Sequence, residues 1–306
     1  MTPTSAACST PTWLKWAACA TASLVLAACG KTEAPGAAAS AASAAAPAAA
    51  PARVYVVGTD AAYAPFESQN EKAEIVGFDI DLAKAVAAKA GIELRFVNTP
   101  WEGIFNALGQ GDRDLVASAV TITEERRQTM DFSAPYFDAI QLIAVKDNSK
   151  VKAFADLKPL KVGVQTGTTG DEVITKLQGN TSANIKRFES TPLALKELEA
   201  GGVDAVVADN GVVIHYLANN PGGQFKTLAD KAFVAEQYGL AVKKGNTELL
   251  AKLNQGLAAI KADGSYSALY ARYFGPAAAA AAAAALAASA PALAASTATA
   301  ASTASK

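Results

Sequence analysis

The chain has 306 residues, with 27 lysines and arginines against 28 aspartates and glutamates and a formal net charge of −1. So even a balance argues against a polyanion such as nucleic acid as the partner. One histidine, His215, and three cysteines confined to the first thirty residues argue against a His/Cys metal site or a Cys–His nucleophile anywhere beyond them.

Lys15 precedes the apolar run WAACATASLVLAAC, which has signal-peptide length and is too short for a stable membrane span. It ends in Leu26-Ala27-Ala28-Cys29-Gly30, which resembles the lipobox of bacterial lipoproteins. Residues 1–28 are therefore expected to be a lipoprotein signal peptide and Cys29 the lipidated residue. A plain secretory signal cut at a small-residue site is the competing reading. Residues 29–52 read as an Ala/Pro-rich tether, able to reach roughly 3 Å per residue where it is polyproline-like. Residues 277–306 form an Ala-rich, low-complexity tail whose only charge is Lys306. Its first ten residues have helix propensity, and Pro291 interrupts any longer helix. Neither flank offers the varied apolar surface that offsets ordering entropy. The folded part is then about Arg53 to Pro276, a length suited to two lobes of about a hundred residues each.

Within it, Val54–Gly58 is a strand ending in the turn Thr59-Asp60. Gly77-Phe78-Asp79 opens a helix that stops at Gly91. Ile92–Val97 is a second strand, and Trp101–Gly109 a helix with Ile104, Phe105 and Leu108 on one face. Leu115–Ser118 is a third strand. It opens into Thr-Ile-Thr-Glu-Glu-Arg, which puts Arg126 on the first turn of a helix, against the helix dipole. The βαβαβα order predicts an α/β fold with a mostly parallel sheet.

The pattern then restarts. Ala139–Val145 and Lys161–Val164 are apolar strands, the second leading into Thr166–Gly170 and a helix through Lys176. Ile185–Phe188 is a strand, and Pro192–Ala200 a helix with Leu193, Leu195 and Leu198 toward its buried side. Val203–Ala208 is a strand that breaks at Asp209-Asn210. His215 lies in the helix-like run that follows. Tyr238–Val242 is a strand before an amphipathic helix carrying Leu249, Leu250, Leu253, Leu257 and Ile260, ended by Gly264. If strands 139–145 and 238–242 both cross between lobes, the second unit is an insertion in the first. A cleft then lies at the carboxyl ends of both sheets, where open α/β sheets bind ligands.

Five loops follow strands and so point at this cleft. They carry Asp60 with Tyr63, Trp101, Ser118 to Arg126, Thr166 to Gly170, and Asp209. An arginine fork with helix N–H groups makes a carboxylate clamp, and Asp209 or Asp60 suits an ammonium. The combination describes a zwitterion, an α-amino acid. Each residue also has a plain structural reading: Thr121 and Glu124 fit a capping box, Arg126 can pair with Glu125 or a core aspartate, and Asp209 can cap a helix. Asp60 can be a turn residue and Trp101 a lobe-surface aromatic. Gly163–Gly170 lacks the GK[ST] ending of a phosphate-binding loop.

The stretches VGTDAAYAPFE (57–67), VGFDIDLAKAV (76–86), TITEER (121–126), DFSAPYF (131–137), VGVQTGTTG (162–170), GGVDAVVADN (201–210) and DGSYSALYARYFG (263–275) resemble the extracytoplasmic solute-binding proteins, family 3, of polar amino-acid ABC importers. The glutamine-, histidine- and lysine/arginine-binding members are the most similar, and the match runs in order over 53–276.

The resemblance implies the two-lobed type II periplasmic-binding-protein fold with two hinge strands. Lobe 1 would be 53–138 plus 239–276, and lobe 2 would be 139–238. It implies that Arg126 binds the ligand α-carboxylate, with Ser118, Ala119, Thr121 and the Thr168–Thr169 backbone beside it. Asp209 takes the α-ammonium, Tyr63 and Trp101 pack on the side chain, and Asp60 lies near its distal end. Gln165 stands where glutamine-specific members have a lysine, and Ala208 where they have a histidine. Asp60 with Tyr63 and Trp101 suits a distal cation instead, so arginine or lysine is the expected ligand. The implied partners are an ABC permease with its ATPase and, through the lipid, a membrane. The protein is expected to be a non-enzymatic, cofactor-free monomer outside the cytoplasm. The fold also hosts periplasmic dehydratases and ligand sensors, and a neutral polar amino acid such as glutamine is the alternative ligand.

Overall fold

The computed structural model describes residues 53–282. The expected signal peptide, Cys29, the tether and residues 283–306 lie outside the described residues. Among the described residues no helix is long and apolar enough to cross a membrane.

Two five-stranded sheets share one layout. In the first, Glu93–Asn98, Val54–Thr59 and Leu115–Val116 run parallel, and Ala241–Lys243 and then Met130–Phe132 close the edge through antiparallel pairing. In the second, Ile185–Phe188, Val162–Gln165 and Ala205–Asp209 are parallel, followed by antiparallel Gln141–Lys146 and Phe225–Leu228. This is the α/β arrangement expected of two successive βαβ units.

The crossings between the sheets differ from the sequence reading. The run 139–145 is not one strand. Phe137–Ala139 pairs antiparallel with Glu236–Tyr238, and Gln141–Lys146 then joins the second sheet. The return run 238–242 divides in the same way, with Ala241–Lys243 in the first sheet. The physical reason is that a chain leaving one twisted sheet for another must break its ladder between them. The two short paired strands are the connection between lobes.

A three-stranded meander, Ala62–Tyr63, Glu67–Gln69 and Ile75–Val76, occupies what reads as loop in the sequence. Gly77 closes it. At φ 139° it approaches so closely that a Cβ would stand 2.1 Å from the Phe66 carbonyl oxygen. That approach lets the backbone carbonyls of Pro65 and Phe66 accept from the N–H groups of Phe78 and Asp79. Two donors at the open end of helix Phe78–Ala90 are thereby satisfied without a side-chain cap.

Helix Thr247–Ala262 buries Leu249, Leu253, Leu257 and Ile260. Each contributes about 1.5–3 kcal/mol by leaving water. It lies against helix Phe78–Ala90 at Gly256, where a Cβ would come 2.3 Å from the Val86 carbonyl oxygen. Helix Thr191–Ala200 buries Ala194, Leu195 and Leu198, but Leu193 is exposed, a turn away from the face assigned to it. Helix Ser265–Phe274 begins after Gly264, and its Tyr270 and Phe274 join Phe66, Phe78 and Phe137 in an aromatic cluster beside the paired connecting strands. Residues 276–282 are helical too, and Ala279 is buried against this core. The start of the Ala-rich tail is therefore packed structure, not a free low-complexity segment.

Candidate ligand-binding site

The loops after the parallel strands of both sheets meet around one cavity. Asp60, Tyr63, Trp101, Ser118, Ala119, Thr121, Arg126, Gln165, Thr168, Thr169 and Asp209 all line it, together with Glu67. His215 is not among the lining residues.

Arg126 is 9% exposed. Its guanidinium donates to the carbonyl of Thr121 at 3.0 Å and to that of Gly167 at 3.3 Å. It sits over the rings of Trp101, at 5.3 Å, and Phe105, at 5.2 Å. No carboxylate among the described residues forms an ion pair with it, so the pairing with Glu125 or a core aspartate weighed from sequence does not occur. Burial lowers its pKa, against the more distant charges of Glu172, Asp209, Glu236 and Glu125. The anticipated dipole conflict is small for a simple reason. The helix is Glu124–Thr129, six residues, so Arg126 belongs as much to its last turn as to its first. The capping box is displaced as well. Thr123, not Thr121, is the N-cap, accepting from the Arg126 N–H at 3.1 Å.

Thr121 has other work. Its hydroxyl donates to Glu236 at 2.8 Å, and the Thr169 hydroxyl donates to the same oxygen at 2.9 Å. Glu236, on a connecting strand, thus ties the two lobes together. Burial and the neighbouring Asp209 raise its pKa, and bonds from Thr121, Thr169 and Gln141 hold it back.

Asp209 is 7% exposed and occupies the N-cap position of helix Asn210–Asn219, but its carboxylate makes no capping bond. It accepts instead from Tyr63 at 2.8 Å, from Tyr238 at 2.5 Å and from the Gln141 amide. A carboxylate has about four acceptor positions, so one is left unused by these three donors. Burial raises its pKa; Tyr238, Tyr63, Gln141 and Arg126 oppose the rise.

At the other end, Gln165 donates to Asp60 at 3.1 Å and to the Glu189 carbonyl at 3.1 Å. Its oxygen accepts from the backbone N–H and hydroxyl of Thr191. The amide is thereby fixed with its N–H toward Asp60. Burial raises the pKa of Asp60 to about 6, moderated by Gln165 and the Trp101 N–H. Trp101 donates its indole N–H to Gly167 at 3.4 Å. Thr168 caps helix Thr169–Gln178 by accepting from the Asp171 N–H. The Ser118 hydroxyl is spoken for, accepting from the Asp60 N–H at 2.9 Å and donating to Glu67 at 2.9 Å. It shapes the loop rather than offering a free donor.

Sequence reasoning missed Glu67, Gln141, Glu236 and Tyr238. Gln141 was visible as a polar residue opening an apolar strand, and Glu236 as an acid just before the crossing. Glu67 falls in the meander that reads as loop.

The family model for bacterial extracellular solute-binding proteins, family 3, matches residues 55–276. The chain is 45% identical over 265 residues to the "Probable histidine-binding protein" of Neisseria gonorrhoeae, covering 85% of this chain and 95% of that one. It is 36% identical over 219 residues to the "ABC transporter arginine-binding protein 1" of Escherichia coli (strain K12), covering 71% and 89%. Among solved structures, the arginine-, lysine-, histidine-binding protein ArtJ of Geobacillus stearothermophilus superposes with a TM-score of 0.71 at 45% identity, covering 73% of this chain and 96% of that one. Such relatives carry the type II periplasmic-binding-protein fold, and the chain belongs to the bacterial extracellular solute-binding proteins, family 3.

Proposed function

We propose that this protein binds a cationic L-amino acid, arginine or lysine foremost, and presents it to an ABC importer. The observation that carries this reading is the polarity of one cavity. A buried guanidinium without a carboxylate partner stands near Asp209, with a second aspartate, Asp60, elsewhere on the lining. Arg126 offers a planar fork for an α-carboxylate. Asp209, with one acceptor position to spare, suits the α-ammonium. Asp60, oriented by Gln165, suits a distal cation beside the rings of Tyr63 and Trp101. Named binders of histidine and arginine among the relatives support a cationic side chain. The same lineage includes an ancestral amino-acid-binding protein described as a precursor of cyclohexadienyl dehydratase, but binding, not catalysis, is the reading the site supports.

The mechanism is a hinge. Bonds that cross the cleft, Gln165 to Asp60, Arg126 to Gly167, Tyr63 to Asp209 and Thr121 to Glu236, each contribute about 0.5–1.5 kcal/mol to a closed form. A ligand that touches both lobes adds to that form alone and shifts the open–closed equilibrium. The permease then reads the closed shape. Export and lipidation at Cys29 would hold the binder at a membrane face within reach of it.

Thermal unfolding of ligand-stripped protein against each of the twenty amino acids tests the proposal. A ligand of the folded state raises the midpoint through RT ln(1 + [L]/Kd). Shifts with arginine and lysine are expected. No shift with any amino acid would overturn the function, and a shift with glutamine alone would overturn the specificity.

A further inference from the structure

Two carboxyl groups, Glu67 on the cavity lining and Asp79 beside it, are not used as a pair by the ligand scheme. Glu67 and Asp79 are both fully buried, at 0% exposure. They are neighbours: the Asp79 N–H donates to the carbonyl of Phe66 at 2.9 Å, the two side chains bond the adjacent residues Ser118 and Ala119, and after burial the Asp79 charge is the next cause raising the Glu67 pKa. No lysine, arginine or histidine among the described residues bonds to either. Two bare negative charges side by side in an apolar interior are strongly disfavoured.

Their hydrogen bonds are asymmetric. Asp79 accepts on Oδ2 from the Ala119 N–H at 2.7 Å and from the Tyr136 hydroxyl at 2.5 Å. Glu67 accepts one bond on Oε1, from Ser118. Glu67 Oε2 and Asp79 Oδ1 have no partner at all. One proton held between the two carboxyls removes one of the two charges and supplies a donor where the orphan oxygens have none. Burial raises both groups, Asp79 to about 7 and Glu67 well above the usual carboxylate range, and two donors hold Asp79 back, so the proton belongs on Glu67. The other titratable groups facing the pair are Asp60, Tyr63 and Tyr136, none of which supplies a positive charge.

The pair grips the loop that carries the candidate clamp. Asp79 holds the N–H of Ala119, whose φ of 46° is unusual for a residue with a side chain. Glu67 holds Ser118, which in turn holds the Asp60 N–H. We propose that Glu67 and Asp79 form a carboxyl–carboxylate pair sharing one buried proton, and that this pair is the positioning element for Ser118, Ala119 and, through Ser118, Asp60. Its effect on affinity rests on the binding reading above; the shared proton itself does not.

Carbon-13 NMR of side-chain carboxyls in the full chain, without added amino acid, tests the proton directly. The two resonances are assigned by their disappearance in Glu67→Gln and Asp79→Asn. At pH 7 the Glu67 resonance is expected in the protonated position and the pair to titrate in two steps. Both carboxyls fully ionised at pH 7 would overturn the shared proton. Glutamine imitates the protonated acid, so Glu67→Gln should weaken amino-acid binding at least threefold less than Glu67→Ala does. If Glu67→Gln weakens binding as much as Glu67→Ala, the positioning role of the protonated form is wrong. Should Glu67→Ala not fold, the wild-type titration and Glu67→Gln still decide. If no amino acid binds the wild type, the ligand scheme fails while the NMR result stands on its own.

Discussion

Replacing Arg126 by methionine removes the guanidinium and keeps a long, apolar side chain against Trp101 and Phe105. In the free protein the change is nearly balanced. Two carbonyls lose a charged donor, but Gly167 retains the Trp101 indole N–H, and a cation buried without a carboxylate partner is relieved of its desolvation. Cation–π contact with the two rings adds about 1 kcal/mol to what is lost. The unfolding midpoint should therefore move only a few degrees. Binding is different, because the ligand carboxylate would be buried with its charge unmatched. Truncating one partner of such a pair costs about 2–5 kcal/mol. At 1.4 kcal/mol per tenfold this is roughly 30- to several-thousand-fold in Kd. From a wild-type Kd near 1 μM, about −8 kcal/mol, binding would fall to a Kd of roughly 30 μM to a few mM. Arg126→Lys keeps the charge but not the fork and should lose about tenfold. Calorimetric titration of the two variants beside wild type is the assay. Binding by Arg126→Met within threefold of wild type would refute the clamp.

The pKa of Asp60 is raised to about 6, so a cationic ligand must displace its proton at lower pH. Affinity should fall about tenfold from pH 7 to pH 5, with proton release on binding visible in buffers of different ionisation enthalpy; Asp60→Asn should abolish both. The same raised pKa means that the folded form keeps a proton the unfolded form has lost. Stability from this group is present below about 3.8 and fades as pH rises through about 6, and an Asp60→Asn variant should flatten that slope in denaturant titrations. Tyr238→Phe removes one donor from buried Asp209 and should destabilise the protein by about 1–3 kcal/mol, read from the denaturation midpoint. Gly256→Ala drives a methyl into the Val86 carbonyl and should cost about 1–3 kcal/mol, with ligand affinity unchanged because the contact is remote from the cavity.

What could be read from sequence was whatever depends on local pattern. Alternating strands and helices predict the two sheets, and a residue directly after a parallel strand reaches the cleft, which is how Arg126, Trp101 and Asp209 come together on one cavity. Pattern fails where the chain changes partner. In 139–145 Gln141 alone interrupts the apolar pattern, and in 238–242 only the Tyr238 hydroxyl is polar, so periodicity gives little sign of where one ladder ends and the next begins. The meander around Glu67 is held by Gly77 and by backbone bonds to Pro65 and Phe66, a tertiary closure with no periodicity to announce it. Glu236 joins Thr121 of one lobe to Thr169 of the other, and Gln141 bonds Glu236 across 95 residues of sequence, so their roles exist only once the fold does. Thr121 illustrates the converse. Its spacing to Glu124 fits a capping box, but the hydroxyl finds Glu236 instead.

The central claim is that one cavity recognises both ends of a cationic amino acid. Calorimetric titration of ligand-stripped protein with L-arginine, beside agmatine, which lacks the carboxylate, and norvaline, which lacks the guanidinium, tests it most directly. The account predicts one arginine per chain at about micromolar Kd, with each truncated analogue at least a hundredfold weaker. Agmatine or norvaline binding as tightly as arginine, or no binding of arginine at all, would contradict it.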